Sequence, residues 1–112
     1  MRAAFVLAGQ RGWQAIVGVM VIGLLRVRLH LPFTHSLKEK RSILKRLIHR
    51  VRTNYNCAVS ETGFQDTWQT AELAFVTVYA AKPQVESLFV SLEKEFVDQD
   101  DFELTQQEIE FL

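Results

Sequence analysis

From Val21 onward, apolar residues fall on alternate positions. Val21, Leu25, Val27, Leu29 and Leu31 share one phase with Gly23, while Ile22, Leu24, Arg26, Arg28 and His30 occupy the other. A period of two over this length predicts a strand with one buried face. Pro32 ends it. Ser36-Leu37-Lys38-Glu39 then reads as a capping box, in which the Ser hydroxyl accepts a free backbone N–H and Glu39 reaches back to the cap. The helix it opens carries Leu37, Leu44, Leu47, Ile48 and Val51 on one stripe and is expected to run to about Thr53. Asn54 suits a left-handed C-terminal turn. Lys40 falls near the apolar side of this helix and is expected to snorkel outward.

Downstream, Cys57 to Thr62 predicts a short strand, Gly63 to Thr67 a turn, and Trp68 or Thr70 to Ala80 a third strand. Both phases of that third strand are apolar: Leu73 and Phe75 occupy one, Ala74, Val76 and Val78 the other. Its buried face is therefore left open. Pro83 suits the first turn of a second helix. Val85, Leu88, Phe89, Leu92 and Phe96 recur along it at helical spacing, and its acidic end opposes the helix dipole. A last strand lies within Phe102 to Leu112. Its phase shifts between Phe102/Leu104 and Ile109/Phe111, which predicts a bulge or late start near Gln106. The order β-α-β-β-α-β predicts an α+β ferredoxin-like plait. Its four-stranded antiparallel sheet would run fourth, first, third, second, with both helices on one face.

At 112 residues, 48% of them hydrophobic, the chain is expected to build one core over residues 20–112. Residues 1–19 precede the first clean pattern and are expected to be an extension outside the fold. The apolar run from Ala15 to Leu25 is too short for a membrane span of about 20 residues. Cys57 is the single cysteine, so no intramolecular disulfide is possible. It is expected to be a buried structural thiol, and its solitude fits a reducing cytoplasm.

Charge changes the picture more than composition does. The formal net charge is +0, yet nine Lys or Arg residues and one acid lie between Arg26 and Arg52, while Thr53 to Leu112 holds two bases and twelve acids. On the first helix Lys38, Arg41, Lys45, His49 and Arg52 form a continuous stripe, which Arg46 and Arg50 widen. Such a stripe can track phosphates without reading sequence. It can equally be a solvated flank paired with Glu86, Glu93, Glu95 and Asp98. The open sheet face is a second candidate surface, with Arg26, Arg28 and His30 from the first strand. Phe75 or Tyr79 would stack bases there if the phase of the third strand allowed it. Ile22, Leu24, Val76 and Val78 argue instead for a covered face.

Catalytic motifs are lacking. His30, His35 and His49 have no partners at metal-ligand spacing, and neither a phosphate loop nor a nucleophile elbow occurs. No metal and no cofactor are expected. Glu61 and Asp66 are expected to serve the hairpin and its turn, and Trp68 to be a packing anchor.

Three stretches stand together in order: Ser36-Leu37-Lys38-Glu39-Lys40-Arg41, Asn56-Cys57-Ala58-Val59-Ser60-Glu61, and Gln65-Asp66-Thr67-Trp68-Gln69-Thr70-Ala71-Glu72-Leu73. They resemble the YlxP-like family of small bacterial proteins of unknown function, over about Met20 to Leu112. The resemblance implies a ferredoxin-like fold and gene neighbourhoods shared with translation-initiation and ribosome-maturation factors. It carries over no active site. Its motif residues here are Ser36, Leu37, Glu39, Lys40, Ser60, Glu61, Asp66, Trp68 and Gln69. Cys57 stands where Val is usual, and Phe64 where a polar residue is expected.

The function expected from these observations is a non-enzymatic cytoplasmic protein of ribosome maturation or translation. It would touch structured RNA, such as ribosomal RNA or a ribosomal subunit, through Arg26, Arg28, Lys38, Arg41, Lys45, Arg46 and Arg52. The alternative is a protein-interaction module that forms a homodimer through the open sheet face. An enzyme acting near Glu61, Asp66 and Trp68 is the weakest option, since nothing supplies a nucleophile.

Overall fold

A computed structural model of the chain describes residues 20–112. The extension expected at residues 1–19 lies outside the described residues. The elements are β1 (Val21–His30), α1 (Leu37–Asn54), β2 (Ala58–Gly63), β3 (Thr70–Tyr79), α2 (Lys82–Glu93) and β4 (Glu103–Phe111). The strands form one antiparallel sheet in the order β2-β3-β1-β4. This is the α+β ferredoxin-like plait that the pattern predicts.

One buried cluster lies between the sheet and the helices. Leu25, Val27, Leu29 and Leu31 enter it from the β1 side, with Leu44, Leu47 and Val51 from α1, and Val85, Leu88, Phe89 and Leu92 from α2. Phe96 and Phe102 close it beyond α2, where Phe96 meets Phe75 with ring centroids 5.5 Å apart. Registry with β1 settles the face of β3. Leu25 stands opposite Phe75 and Val27 opposite Leu73, so Ala71, Leu73, Phe75 and Thr77 turn inward. Thr77 is a polar residue on the buried face, and its hydroxyl is satisfied by donating to the Asn56 carbonyl at 2.6 Å. Phe75 is therefore core, and Tyr79 shares its phase. Neither reaches the open sheet face, so the base-stacking option for that face falls.

The phase shift in the last strand is a bulge. Arg28 pairs with Gln106 but Leu29 with Leu104, which leaves Thr105 unpaired, and its hydroxyl donates to the Arg28 carbonyl at 3.1 Å. A second irregularity leaves Thr62 unpaired in β2, where Glu61 faces Leu73 and Gly63 faces Glu72. Two helix details differ from expectation. The first helix ends not on a left-handed Asn54 but on Tyr55 in extended backbone, whose N–H bonds the Val51 carbonyl. At its start, Glu39 reaches the N–H of His35, one residue before the Ser36 cap, at 2.8 Å.

Gly23 decides how closely α2 approaches the sheet. A methyl group there would overlap Val85 Cγ1 and lie 2.9 Å from Phe89 Cζ. Gly23→Ala is expected to lower stability by about 1–3 kcal/mol, because the contact is with two packed core side chains. A urea denaturation series reads this as a lower midpoint at unchanged slope.

Candidate nucleic-acid interface

The family-motif residues converge at one end of the sheet, where the β1–α1 loop meets the β2–β3 hairpin. Thr34 is buried and its hydroxyl donates to the Trp68 carbonyl at 2.6 Å. Gln69 returns two hydrogen bonds, to the carbonyls of Pro32 and Thr34 at 3.2 and 3.3 Å. The Gln69 carbonyl accepts from Leu31 N at 2.9 Å and from His30 Nδ1 at 3.0 Å, so that histidine carries its proton on Nδ1. Ser36 caps α1 by accepting from Glu39 N at 3.1 Å. Leu37 is half-buried beneath the cap.

Lys40 lies beneath these loops. It does not snorkel. Its side chain is 1% exposed, with the ammonium 3.0 Å from Glu61 Oε2 and donating to the Phe64 carbonyl. The helical spacing explains it: Lys40, Leu44, Leu47 and Val51 follow at i, i+4, i+7 and i+11, so the lysine stem continues the apolar stripe. Glu61 lies opposite Leu73 on the inward face of an edge strand, which brings its carboxylate under the helix. The carboxylate therefore meets a cation and not the hairpin amides.

Phe64, after Gly63, adopts a left-handed φ of 58°, a conformation that suits Asn, Asp or Gly better than Phe. Its carbonyl serves both Lys40 and Thr67 N, the latter at 3.0 Å, and its ring lies 4.7 Å below the Arg28 guanidinium. Asp66 and Trp68 are exposed in the turn. Trp68 anchors through its carbonyl, and its ring is 51% exposed, so it is not the packing anchor expected. Ser60 is exposed on β2.

The seven cations expected to contact RNA separate onto two faces. Arg26 and Arg28 lie on the open sheet face and are neutralised there, Arg26 by Glu108 at 3.0 Å and Arg28 by Glu72 at 3.4 Å. The others lie along α1. Lys38, Arg41 and Lys45 are exposed and make no ion pair among the described residues. Arg52 is exposed on the same stripe and donates to the Val59 carbonyl at 3.1 Å. Arg46 meets Asp101 at 3.4 Å with both groups more than half exposed, a contact that water and salt weaken. Of the acids expected to cancel this helix, Glu95 alone binds it, through Arg50 at 2.6 Å. Glu93 instead accepts from Gln107 at 2.8 Å.

Arg50 belongs to a clamp that holds the end of α1 to the segment after α2. The Tyr55 hydroxyl donates to Glu95 Oε2 at 2.7 Å. That hydrogen bond, with burial and the carboxylate charge, pushes the Tyr55 phenol up to about 12. Burial alone would raise the Glu95 carboxyl, but the Tyr55 hydroxyl and the Arg50 guanidinium outweigh it and hold the group below its ordinary value. Burial pushes the half-buried Cys57 thiol up, which keeps it protonated and unreactive near neutral pH. No group of three or more His, Cys, Asp or Glu is placed to hold a metal among the described residues.

Residues 22–109 match the family described as a protein of unknown function, DUF503. The chain belongs to this family. The chain also resembles the uncharacterized protein YlxP of Bacillus subtilis (strain 168), with 45% identity over 51 residues, 46% of this chain and 55% of that protein. The match thus spans about half the length of the curated relative. A de novo designed protein, Foldit4, is similar in structure at a TM-score of 0.49 and 17% identity, over 83% of this chain and 96% of the design. No helix of the described residues is long and apolar enough to cross a membrane.

Removing the charge of Glu61 strands a buried ammonium, whereas removing Lys40 frees a carboxylate that still reaches water. Glu61→Gln is expected to cost about 3 kcal/mol and Lys40→Met markedly less, measured by urea unfolding. Equal losses would refute the asymmetry. For the clamp, the folded protein holds the Tyr55 proton to about 12 against an ordinary 10.0. Its stabilisation is whole below pH 10 and is lost as pH rises through 12. Glu95, held low, contributes above its ordinary value and loses that contribution as pH falls through the lower folded one. The stability gap between wild type and Tyr55→Phe should therefore be constant from pH 6 to about 9 and close towards pH 12.

Proposed function

We propose that this protein binds structured RNA through the outward face of α1, as a non-catalytic cytoplasmic factor in ribosome maturation or translation. One observation carries the reading. Lys38, Arg41 and Lys45 stand exposed on one helical face with no carboxylate against them among the described residues, although the chain as a whole is neutral. Arg52 extends the line. From position 38 to 52 the stripe spans about 21 Å at 1.5 Å per residue. Apart from His49 it has no aromatic or amide side chain interleaved, which suits it to positioning phosphates more than to reading bases. Arg26 and Arg28 are excluded from this surface by their place on the opposite face. The ribosomal setting comes from the gene neighbourhoods that the YlxP-like resemblance implies.

A second reading is favoured by one patch. Ile22 and Leu24 lie across from Val78 and Val76 on the open sheet face, and the two valines are 48% and 41% exposed. A second copy seated there would leave both α1 stripes facing water, so the two readings are compatible in space.

Gel-shift titration with ribosomal RNA fragments across a salt series tests the first reading. Binding should weaken steeply with salt, and Lys38→Ala/Arg41→Ala/Lys45→Ala should flatten the log–log slope by about two to three units. Arg26→Ala should leave the slope unchanged. Absence of binding at low salt, or indifference to the triple substitution, overturns it. Sedimentation of the RNA-free protein reads the second: a salt-insensitive dimer broken by Val78→Glu supports it, and a monomer overturns it.

A further inference from the structure

Phe33 follows Pro32 in the β1–α1 loop. It is 73% exposed, the most exposed of the large hydrophobic side chains among the described residues. Its backbone is nevertheless fixed on both sides. Gln69 holds the Pro32 carbonyl, and Thr34 is tied through its hydroxyl to the carbonyls of Leu31 and Trp68 at 3.0 and 2.6 Å. A large ring kept in water by a braced loop is available for a partner at little ordering cost. Beside it lies an open cavity of about 450 Å³ against the first two turns of α1, lined by Phe33, Lys38, Glu39, Ser42, Ile43 and Asp101. The volume is ample for one planar group of nucleobase size and leaves room for its sugar.

The charges select the kind of group. Glu39 accepts the His35 N–H at 2.8 Å and keeps its charge, and Asp101 shares an exposed pair with Arg46 at 3.4 Å, so the wall offers acceptors for base N–H groups beside one cation. Lys38 is left as the cation without an acid partner on the cavity wall, and it is also the first residue of the basic stripe. The cavity is thus continuous with the phosphate-tracking face. An aromatic plane next to a phosphate-binding cation is the arrangement that receives a base together with its own backbone.

We infer that this cavity takes one unpaired base of the RNA strand whose phosphates lie along α1, stacked on Phe33 with its phosphate on Lys38. The inference rests on the RNA reading above and adds to it. The protein would recognise a paired region next to a bulged or dangling nucleotide, and would prefer that junction to a continuous duplex.

The test uses the full chain with two RNA hairpins that differ by one bulged nucleotide, a fluorescent adenine analogue. Wild type should bind the bulged hairpin between about fivefold and a hundredfold more tightly and quench its fluorescence. Phe33→Ala should erase both the preference and the quench while leaving the affinity for the fully paired hairpin unchanged. Phe33→Trp should restore them. If Phe33→Ala keeps the preference and the quench, or wild type shows neither while still binding the paired hairpin, the inference is overturned and the α1 reading stands. If wild type binds neither hairpin, or the Lys38, Arg41 and Lys45 substitutions have no effect on either, both fall. A site for some other planar anion would show as Phe33-dependent binding of that compound with no bulge preference, which also overturns the inference.

Discussion

The contact between Lys40 and Glu61 ties the start of the first helix to the end of the β2–β3 hairpin, and it does so with charges largely removed from water. Desolvating an ammonium costs several kcal/mol, and the offset here comes from a carboxylate at 3.0 Å and from the Phe64 carbonyl. Such a pair is a weak source of net stability but a strict one of position. If the helix slipped by one residue, the buried ammonium would leave the carboxylate and carbonyl that satisfy it. The phase of the whole helix follows from that constraint. Leu44, Leu47 and Val51 go to the core, and Lys38, Arg41 and Lys45 to water.

Around this pair the motif residues act as a fastening of two loops. Thr34, Trp68 and Gln69 exchange hydrogen bonds through backbone carbonyls, Ser36 caps the helix, and Phe64 takes a left-handed turn that aims its carbonyl at Lys40. This arrangement joins the two loops through hydrogen bonds and one ion pair. Its effect is to hold α1 and the β1–α1 loop at a set orientation, which gives the exposed Phe33 and the basic stripe a rigid support.

Charge is divided between the two faces by the same topology. Cations on the central strand meet carboxylates across the sheet, because neighbouring strands bring Glu72 and Glu108 opposite Arg28 and Arg26. Apart from the buried Lys40, the cations on α1 that meet acids lie along the flank that faces the region after α2, where Arg50 finds Glu95 and Arg46 finds Asp101. The far flank faces solvent. A neutral protein thereby presents, among its described residues, a line of cations with no acid partner, which is the basis of the proposed RNA contact.

Hydrophobic periodicity by itself determined the six elements, their order, the inward phase of β1 and α2, and the interruption in β4. Each is a local property, since a period of two or of 3.6 is set by backbone geometry within a few residues. The segregation of bases from acids was also plain along the chain. What only the tertiary structure decided depends on partners distant in sequence. The face of β3 was ambiguous because both phases are apolar, and registry with β1 resolved it. Lys40 read as a surface lysine because its counter-ion lies 21 residues away on another element. Phe33 gave no periodic signal at all, since one aromatic after a proline in a loop is buried or exposed according to what packs beside it. Which cations remain free was likewise undecided by composition, because neutralisation needs carboxylates within a few ångströms and long-range folding alone sets those distances.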